Sequence, residues 1–331
     1  MVSNARRGHP GDRREDIRLT GIVRMCRALA YLGQPVPVEY LLYGSDSSLV
    51  NQVFHPKLLS MLNLAGFGMV AWDRESLEPD VPWQYHSTKL PVFDQNLRSV
   101  SRKIRCNSLL AHIRGVPLNS SAAISEQNLH PFVFPEVSLT MAHNGDLYDF
   151  SVMRYALIPH IRDEFLQRLS GNTDSEWLYA LLMSRFDDPA ALHSAADIAD
   201  AVQHMLNILR EVRKGHGIEI SSSVNLFISN PNCIVAVRFT FDYGCYPLLE
   251  QGEVHQGCVD YLSLWFTRGS DYACHGGEWK MVGGRDAADA VIVASEPLSL
   301  DTSTWVEVPE YHLLAVEKHG NKIDTKLIAL E

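Results

Sequence analysis

Cys26, Arg114, Asn144 with Gly145, and Asp174 are the residues whose types and order suit one piece of chemistry. An arginine can grip a carboxylate through two parallel hydrogen bonds. An aspartate can hold an ammonium group. An asparagine side chain and the N–H of a following glycine can stabilise an oxyanion. Together they would hold an amino acid by both charged ends and polarise a carbonyl on its side chain. Cys26 would supply the nucleophile. If Cys26 is the first residue of the working chain, its α-amine is a proton acceptor with a pKa near ~8, beside a thiol near ~8.5. No separate histidine base is then required. Methionine removal from a start at Met25, in the Met-Cys-Arg triplet, would expose that amine. Each residue alone has an ordinary alternative. Cysteine is among the most buried residue types, an arginine usually has a salt-bridge partner, and His-Asn-Gly is usually a turn. Asp174 in TDSE also reads as a helix cap. The combination in this order is more specific than any one member.

The elements that must position these residues alternate between strand-like and helix-like segments. RALAYLG (27–33) reads as a strand ending at a Gly-Gln-Pro turn. AGFGMVAW (65–72) is a glycine-rich strand, and SLLAHIRG (108–115) is a buried one. VSLTMAHNG (137–145) is an apolar run closed by a turn signal. Arg114, Asn144–Gly145 and Asp174 are therefore expected where regular elements stop, a common place for site residues. TDSEWLYALLMSRF (173–186) opens as a capping box, with Glu176 three residues after Thr173. Residues 196–214 place Ile198, Val202, Met205, Leu206, Leu209 and Val212 on one helical face. Residues 151–169 are helix-like but divided by Pro159. After Gly215 the strand-like segments VNLFIS, CIVAVRF, AVIVAS and YHLLAVEK follow. Strands on both sides of the helices predict a layered α+β or α/β sandwich and one continuous domain. HGGEWKMVGG (275–284) lacks the spacing of a phosphate loop and reads as a hairpin.

At 331 residues and 46% hydrophobic, the chain can bury a substantial core. Its formal net charge is −10, with no basic stripe, which argues against nucleic acid as a partner. No apolar run approaches the ~20 residues of a membrane span. The six cysteines form no CxxC pair, and the histidines fall into no metal-ligand spacing. A reducing, cytoplasmic setting without metal or cofactor is the expectation. Residues 1–25 differ in character. The first 24 hold six arginines and three acids, with no apolar core of a secretory signal. Three readings stand: a disordered extension, a removed segment, or a misassigned start upstream of Met25. The last two are preferred, leaving 26–331 as the functional domain.

The sequence resembles the class-II glutamine amidotransferases, which are N-terminal-nucleophile hydrolases. The matching pieces are MCRALAYLG (25–33), SLVNQ (48–52), GFG (66–68), AHIRG (111–115), SEQNLHPF (125–132), HNGDLYDF (143–150) and GNTDSE (171–176). VNLFISN (224–230), SLWFTRGSDYACHGGEWKM (263–281) and VIVASEPLSLDTSTWVEVP (291–309) match as well. The resemblance runs from Met25 to about Val316. It is nearest to the branch containing the amidotransferase-like subunit of the fungal glutathione-degradation complex.

This resemblance implies an α+β fold, a four-layer αββα sandwich. It implies Cys26 as nucleophile with its freed α-amine as base, and Asn144 with Gly145 as the oxyanion hole. Arg114 would take the α-carboxylate of a glutamine or γ-glutamyl group, and Asp174 its α-ammonium. Asn128 and His130 would line or support the pocket. Three departures stand out: Ala65 where relatives often carry aspartate, Gly-Val-Pro after Arg114, and Asp146 after the His-Asn-Gly motif. The expected function is hydrolysis of a γ-glutamyl amide through a thioester on Cys26. The substrate would be glutamine, glutathione or a γ-glutamyl conjugate. With no acceptor or nucleotide-binding domain in the sequence, the released amine or ammonia would need a protein partner, a peptidase or synthase subunit. The rival is a weak or inactive glutamine-binding, regulatory subunit. A further alternative, an N-terminal-cysteine acylase for other amides, is disfavoured by the Arg114 and Asp174 pair.

Overall fold

The segment Arg-Ala-Leu-Ala-Tyr-Leu is buried on both faces, which a strand requires when its sheet is covered on each side. Strands and helices are numbered here along the chain of the computed structural model, which describes residues 26–56, 63–115, 124–245, 263–283, 288–320 and 322–331. A seven-stranded antiparallel sheet contains β1 (Arg27–Pro37), β2 (Phe67–Trp72), β3 (Trp83–Ser87), β4 (Arg105–Ile113), β9 (Trp265–Gly269), β12 (Ala290–Ala294) and β13 (Val306–Glu307). Their order is β13-β9-β12-β1-β4-β2-β3. The second antiparallel sheet contains β5 (Thr140–Asp146), β6 (Ser222–Ser229), β7 (Cys233–Arg238), β14 (His312–His319) and β15 (Lys322–Ala329). Its order is β15-β14-β7-β6-β5, and β8 (Thr240–Phe241) pairs with β6.

Alternation along the strands builds three cores. On β1, Ala28, Ala30 and Leu32 point into the space between the sheets, where they meet Ala142, Phe227, Ala236 and Leu314 of the second sheet. Leu29 and Tyr31 point the other way, against α1 (Val38–Tyr43) and α2 (Gln95–Ser101). The outer face of the second sheet packs on α3 (Phe150–Leu157), α4 (Asp163–Leu166), α5 (Asp174–Met183) and α6 (Ala195–Gly215). The result is the four-layer αββα sandwich, with one thin helical layer and one thick one. Each fully buried aliphatic side chain contributes about 1.5–3 kcal/mol to holding the layers together.

The helix boundaries follow local chemistry. Ser194 and Asp197 form a reciprocal capping box at α6, and the six apolar residues named for its inner face are all buried. Pro159 divides the 151–169 segment into α3, a short 3₁₀ turn and α4. The 275–284 segment is half of a hairpin, β10 (Asp271–His275) with β11 (Glu278–Val282), turned at Gly276 and Gly277. Both glycines have positive φ, 65° and 90°, as a tight hairpin turn requires.

Three sequence readings are corrected. β1 does not end at the Gly-Gln-Pro turn but runs to Pro37, with a register shift between Leu32 and Val36 that absorbs the turn-like residues. His143-Asn144-Gly145 is not a turn. It is the end of β5, paired through Asn144↔Asn225 and Gly145↔Val224, because pairing with β6 overrides local turn preference. The capping box at α5 is half of one: Thr173 accepts from the Glu176 N–H, but Glu176 turns to the preceding loop.

Candidate active site

One end of the two-sheet sandwich collects the residues of interest. Cys26 immediately precedes β1, and Arg27 pairs with Ile113 of β4, so Arg114 lies beside the start of β1. β2 begins at the same level, through Phe67↔Ile113. The ladder continues past the strands, with Arg114 N–H donating to the Gly66 carbonyl and Ala65 N–H to the Arg114 carbonyl, each at 2.9 Å. From the opposite sheet, β5 brings in Asn144 and Gly145. The α5 N-terminus brings in Asp174.

Cys26 and Asn144 meet across the sheets. The Cys26 backbone nitrogen donates to Asn144 Oδ1 at 3.3 Å. The Cys26 thiol is directed at the Gly115 carbonyl, 3.9 Å away. Asn144 Nδ2 donates to Ser295 Oγ at 3.1 Å. One Nδ2 hydrogen is thereby engaged, and an amide has two. Gly145 stands where no side chain fits: a Cβ would lie 2.2 Å from the Ser223 carbonyl oxygen and 2.3 Å from His143 Nε2.

Asp174 is buried at the first turn of α5, where a carboxylate also complements the helix dipole. Its Oδ2 accepts from the Leu147 N–H at 2.8 Å and its Oδ1 from the Ser175 N–H at 2.8 Å. It therefore ties the segment after Gly145 to α5. Asn128 locks the loop ahead of Asp174 in a two-point amide pair: its Nδ2 donates to Asn172 Oδ1 at 2.9 Å, and its Oδ1 accepts from Asn172 N–H at 3.0 Å. Glu176 completes that lock by accepting from the N–H groups of Ser170 and Gly171, each at 2.8 Å.

Beneath the site is a tier of histidines. His130 Nδ1 accepts from the His143 N–H at 3.4 Å and lies 3.2 Å from His112 Nε2. Because Nδ1 receives a hydrogen bond from a backbone donor, it is the bare nitrogen of the ring, and His112 Nε2 carries the proton between them. His143 Nε2 donates to the Ser223 carbonyl at 3.1 Å and its Nδ1 takes the Ser175 hydroxyl at 2.9 Å. Burial, then the charge of Arg114, pushes His112 down to about 3. Burial, then His112 and His143, holds His130 well below its ordinary value. Burial thus favours the uncharged form of both rings. Among the described residues no group of three or more His, Cys, Asp or Glu is placed to hold a metal ion.

The tier has a consequence for acid stability. An imidazole that takes a proton when unfolded but resists it when folded favours the unfolded chain in acid. The contribution of His112 is full above 6.5 and is lost as pH falls toward about 3. The slope is about 1.4 kcal/mol per pH unit for each such ring. Urea midpoints measured from about pH 7.5 to about pH 4.5 should fall, and H112Q should fall less steeply.

All seven residues named from the sequence gather at this end of the fold. Cys26 and Asn144 touch directly, Gly145 follows, Arg114 adjoins Gly115 and Asp174 adjoins Leu147. Asn128 and His130 stand behind them. Sequence reasoning passed over Ser295, Glu296 and the histidines His112 and His143. The signal available was that His112, two residues before Arg114, and His143, just before Asn144, each lie toward a strand end. Asp146 is half-buried and, by strand alternation, on the face of β5 that carries Asn144.

A family model described as class-II glutamine amidotransferases matches residues 70–240. That range holds every named site residue except Cys26. The probable glutamine amidotransferase DUG3 of Saccharomyces cerevisiae is 27% identical over 314 residues, covering 89% of this chain and 82% of the yeast protein. Of solved structures, a glutamine aminotransferase class-II domain protein from Silicibacter pomeroyi superposes with a TM-score of 0.55 at 19% identity, covering 92% of this chain and 100% of that one. The glutamine phosphoribosylpyrophosphate amidotransferase of B. subtilis gives 0.51 at 16% identity, over 91% of this chain and 49% of that one. At these identities the structural likeness speaks for the fold alone, the αββα sandwich. With the family model spanning more than half of its length, the chain belongs to the class-II glutamine amidotransferases.

Proposed function

We propose that this amidotransferase hydrolyses a γ-glutamyl amide through a γ-glutamyl thioester on Cys26. The working chain begins at Cys26, residues 1–25 being absent from it. The Cys26 nitrogen is then an α-amine. The observation that carries the reading is its position 3.3 Å from Asn144 Oδ1, at the joint where both sheets deliver site residues. In the reaction the Cys26 Sγ forms a bond to the side-chain carbonyl carbon as its proton passes to the α-amine. The oxyanion is received by the free Nδ2 hydrogen of Asn144 and the Gly145 N–H. Collapse breaks the C–N bond, and the departing nitrogen takes the proton from the α-ammonium. Water, deprotonated by the same amine, then adds to the thioester carbonyl, releasing glutamate and restoring the thiol.

Arg114 pairs with the substrate α-carboxylate and Asp174 with its α-ammonium. Glutamine would release ammonia, and glutathione or a γ-glutamyl conjugate a larger amine. The yeast relative, a probable glutamine amidotransferase, supports a glutamine-type substrate; the released amine or ammonia would pass to a peptidase or synthase partner. A reducing cytoplasmic setting is part of this reading. No helix among the described residues is long and apolar enough to cross a membrane.

The test is hydrolysis by a chain produced to begin at Cys26, read as release of the free acid (glutamate from the first two) from glutamine, glutathione and an N-acyl amide. Release from the first two and not the third is the expected outcome. No release from any would sink the reading in favour of a binding subunit, which the carboxylate of Asp146 on the Asn144 face would suit. Arg114→Lys keeps the charge but loses the fork. It should raise KM about 10- to 100-fold for the γ-glutamyl substrate, with little change in thermal stability.

A further inference from the structure

We propose that Ser295 is a positioning residue that fixes the Asn144 amide and seats Cys26 against it. The inference rests on the hydrolase reading above. Ser295 is the first residue after β12 and is 3% exposed. The β1–β12 ladder reaches Leu29↔Ala294, and Ser295 extends it by one step with both backbone and side chain. Its N–H donates to the Ala28 carbonyl at 3.0 Å, and its Oγ accepts from the Ala28 N–H at 3.0 Å. The same Oγ accepts from Asn144 Nδ2 at 3.1 Å. A single hydroxyl oxygen therefore joins the strand that carries the nucleophile to the asparagine of the opposite sheet.

The chemistry fixes which way the amide faces. The Cys26 nitrogen has a hydrogen to donate as amide, amine or ammonium, and it gives it to Asn144 Oδ1. Ser295 Oγ already receives the Ala28 N–H and takes an Nδ2 hydrogen with its second lone pair. The other Nδ2 hydrogen is left for the oxyanion. Without the hydroxyl, nothing in this pair of contacts opposes rotation about the Asn144 amide torsion, which is broad and roughly two-fold. The Ala28 N–H would also lose its acceptor, loosening the strand two residues from Cys26.

The next residue makes the seat firmer. Glu296 is fully buried and faces Arg27 at 3.5 Å. Arg27 Nη1 donates to the Cys26 carbonyl at 2.9 Å. Two successive residues at the end of β12 thus hold residues 26, 27 and 28, and Ser295 alone also reaches across to Asn144.

The test uses the chain beginning at Cys26, with glutamate release read against glutamine concentration and melting temperature read alongside. S295A should lower kcat about 10- to 100-fold while KM stays within about threefold, as a small misplacement of a reacting group does. S295T, which restores the hydroxyl, should recover most of kcat. In the N144A background the further loss from S295A should vanish, because the two act through one contact. If S295A does not fold, S295C preserves the shape with a weak acceptor and should show the same kcat loss. S295A or S295C with kcat within twofold of wild type would overturn the proposal. So would a loss fully additive with N144A, which marks a merely structural role. A wild-type chain that releases no glutamate would overturn the underlying reading. A working wild type with an unaffected S295A or S295C would overturn this inference alone.

Discussion

Cys26→Ala should abolish γ-glutamyl amide hydrolysis, lowering kcat by more than about 10⁴-fold, with the fold intact. The loss is this large because no other group can form the thioester, and the α-amine that C26A keeps has no thiol to deprotonate. Cys26 is 7% exposed at the open end of β1, so removing one sulfur atom leaves only a small void. Its backbone nitrogen remains to meet Asn144 Oδ1, which keeps C26A bound to substrate and suitable for measuring Kd separately from turnover. A glutamine-like diazoketone should add one label to the wild-type chain and none to C26A, read by intact mass. Placing residues 1–25 ahead of Cys26 should silence the enzyme in the same assay, since an amide nitrogen is not a base. Labelling or turnover by C26A would remove Cys26 from the mechanism.

Gly145→Ala is expected to lower kcat by about 10²- to 10³-fold, the scale of losing one oxyanion donor. Here the cause is steric. The added methyl would lie 2.2 Å from the Ser223 carbonyl oxygen and 2.3 Å from His143 Nε2, and neither is the end of a flexible chain. The Ser223 carbonyl belongs to the β6 ladder, and His143 is held at both ring nitrogens. Strand β5 must therefore move away from β6, carrying Asn144 and the Gly145 N–H with it. Binding through Arg114 should survive better than turnover, so the KM change should be smaller than the kcat change. A G145A chain with wild-type kcat would show that this N–H does not meet the oxyanion.

The layers of the fold were legible because the apolar patterns were long. The run at 27–32 and the inner face of α6 each bury as the alternation and the helical spacing require. Pro159 breaks its helix for a purely local reason, so it too could be read. His-Asn-Gly misled because its turn preference is local, while its strand state depends on β6, some eighty residues away. The Gly-Gln-Pro run misled in the same way, its irregularity absorbed by a bulge against β4. The residues proposed for the site were picked out by type and order, and the fold brings them to one end of the sandwich. Ser295 was not, because a serine in an apolar strand end carries no chemistry until the partners at Ala28 and Asn144 are known.

In the proposed mechanism one sheet carries the nucleophile Cys26 and the other the oxyanion asparagine Asn144, so the inter-sheet core would work as a spacer gauge for the reaction. Ala28, Ala30, Ala142 and Ala236 make part of that gauge, and alanine is nearly its thinnest setting. Widening it at Ala30 or Ala236, residues that touch no substrate, would part Cys26 from Asn144 while leaving each sheet internally sound. On that mechanism, reaction rate would be a property of thickness, adjustable by methyl groups that touch no reacting atom.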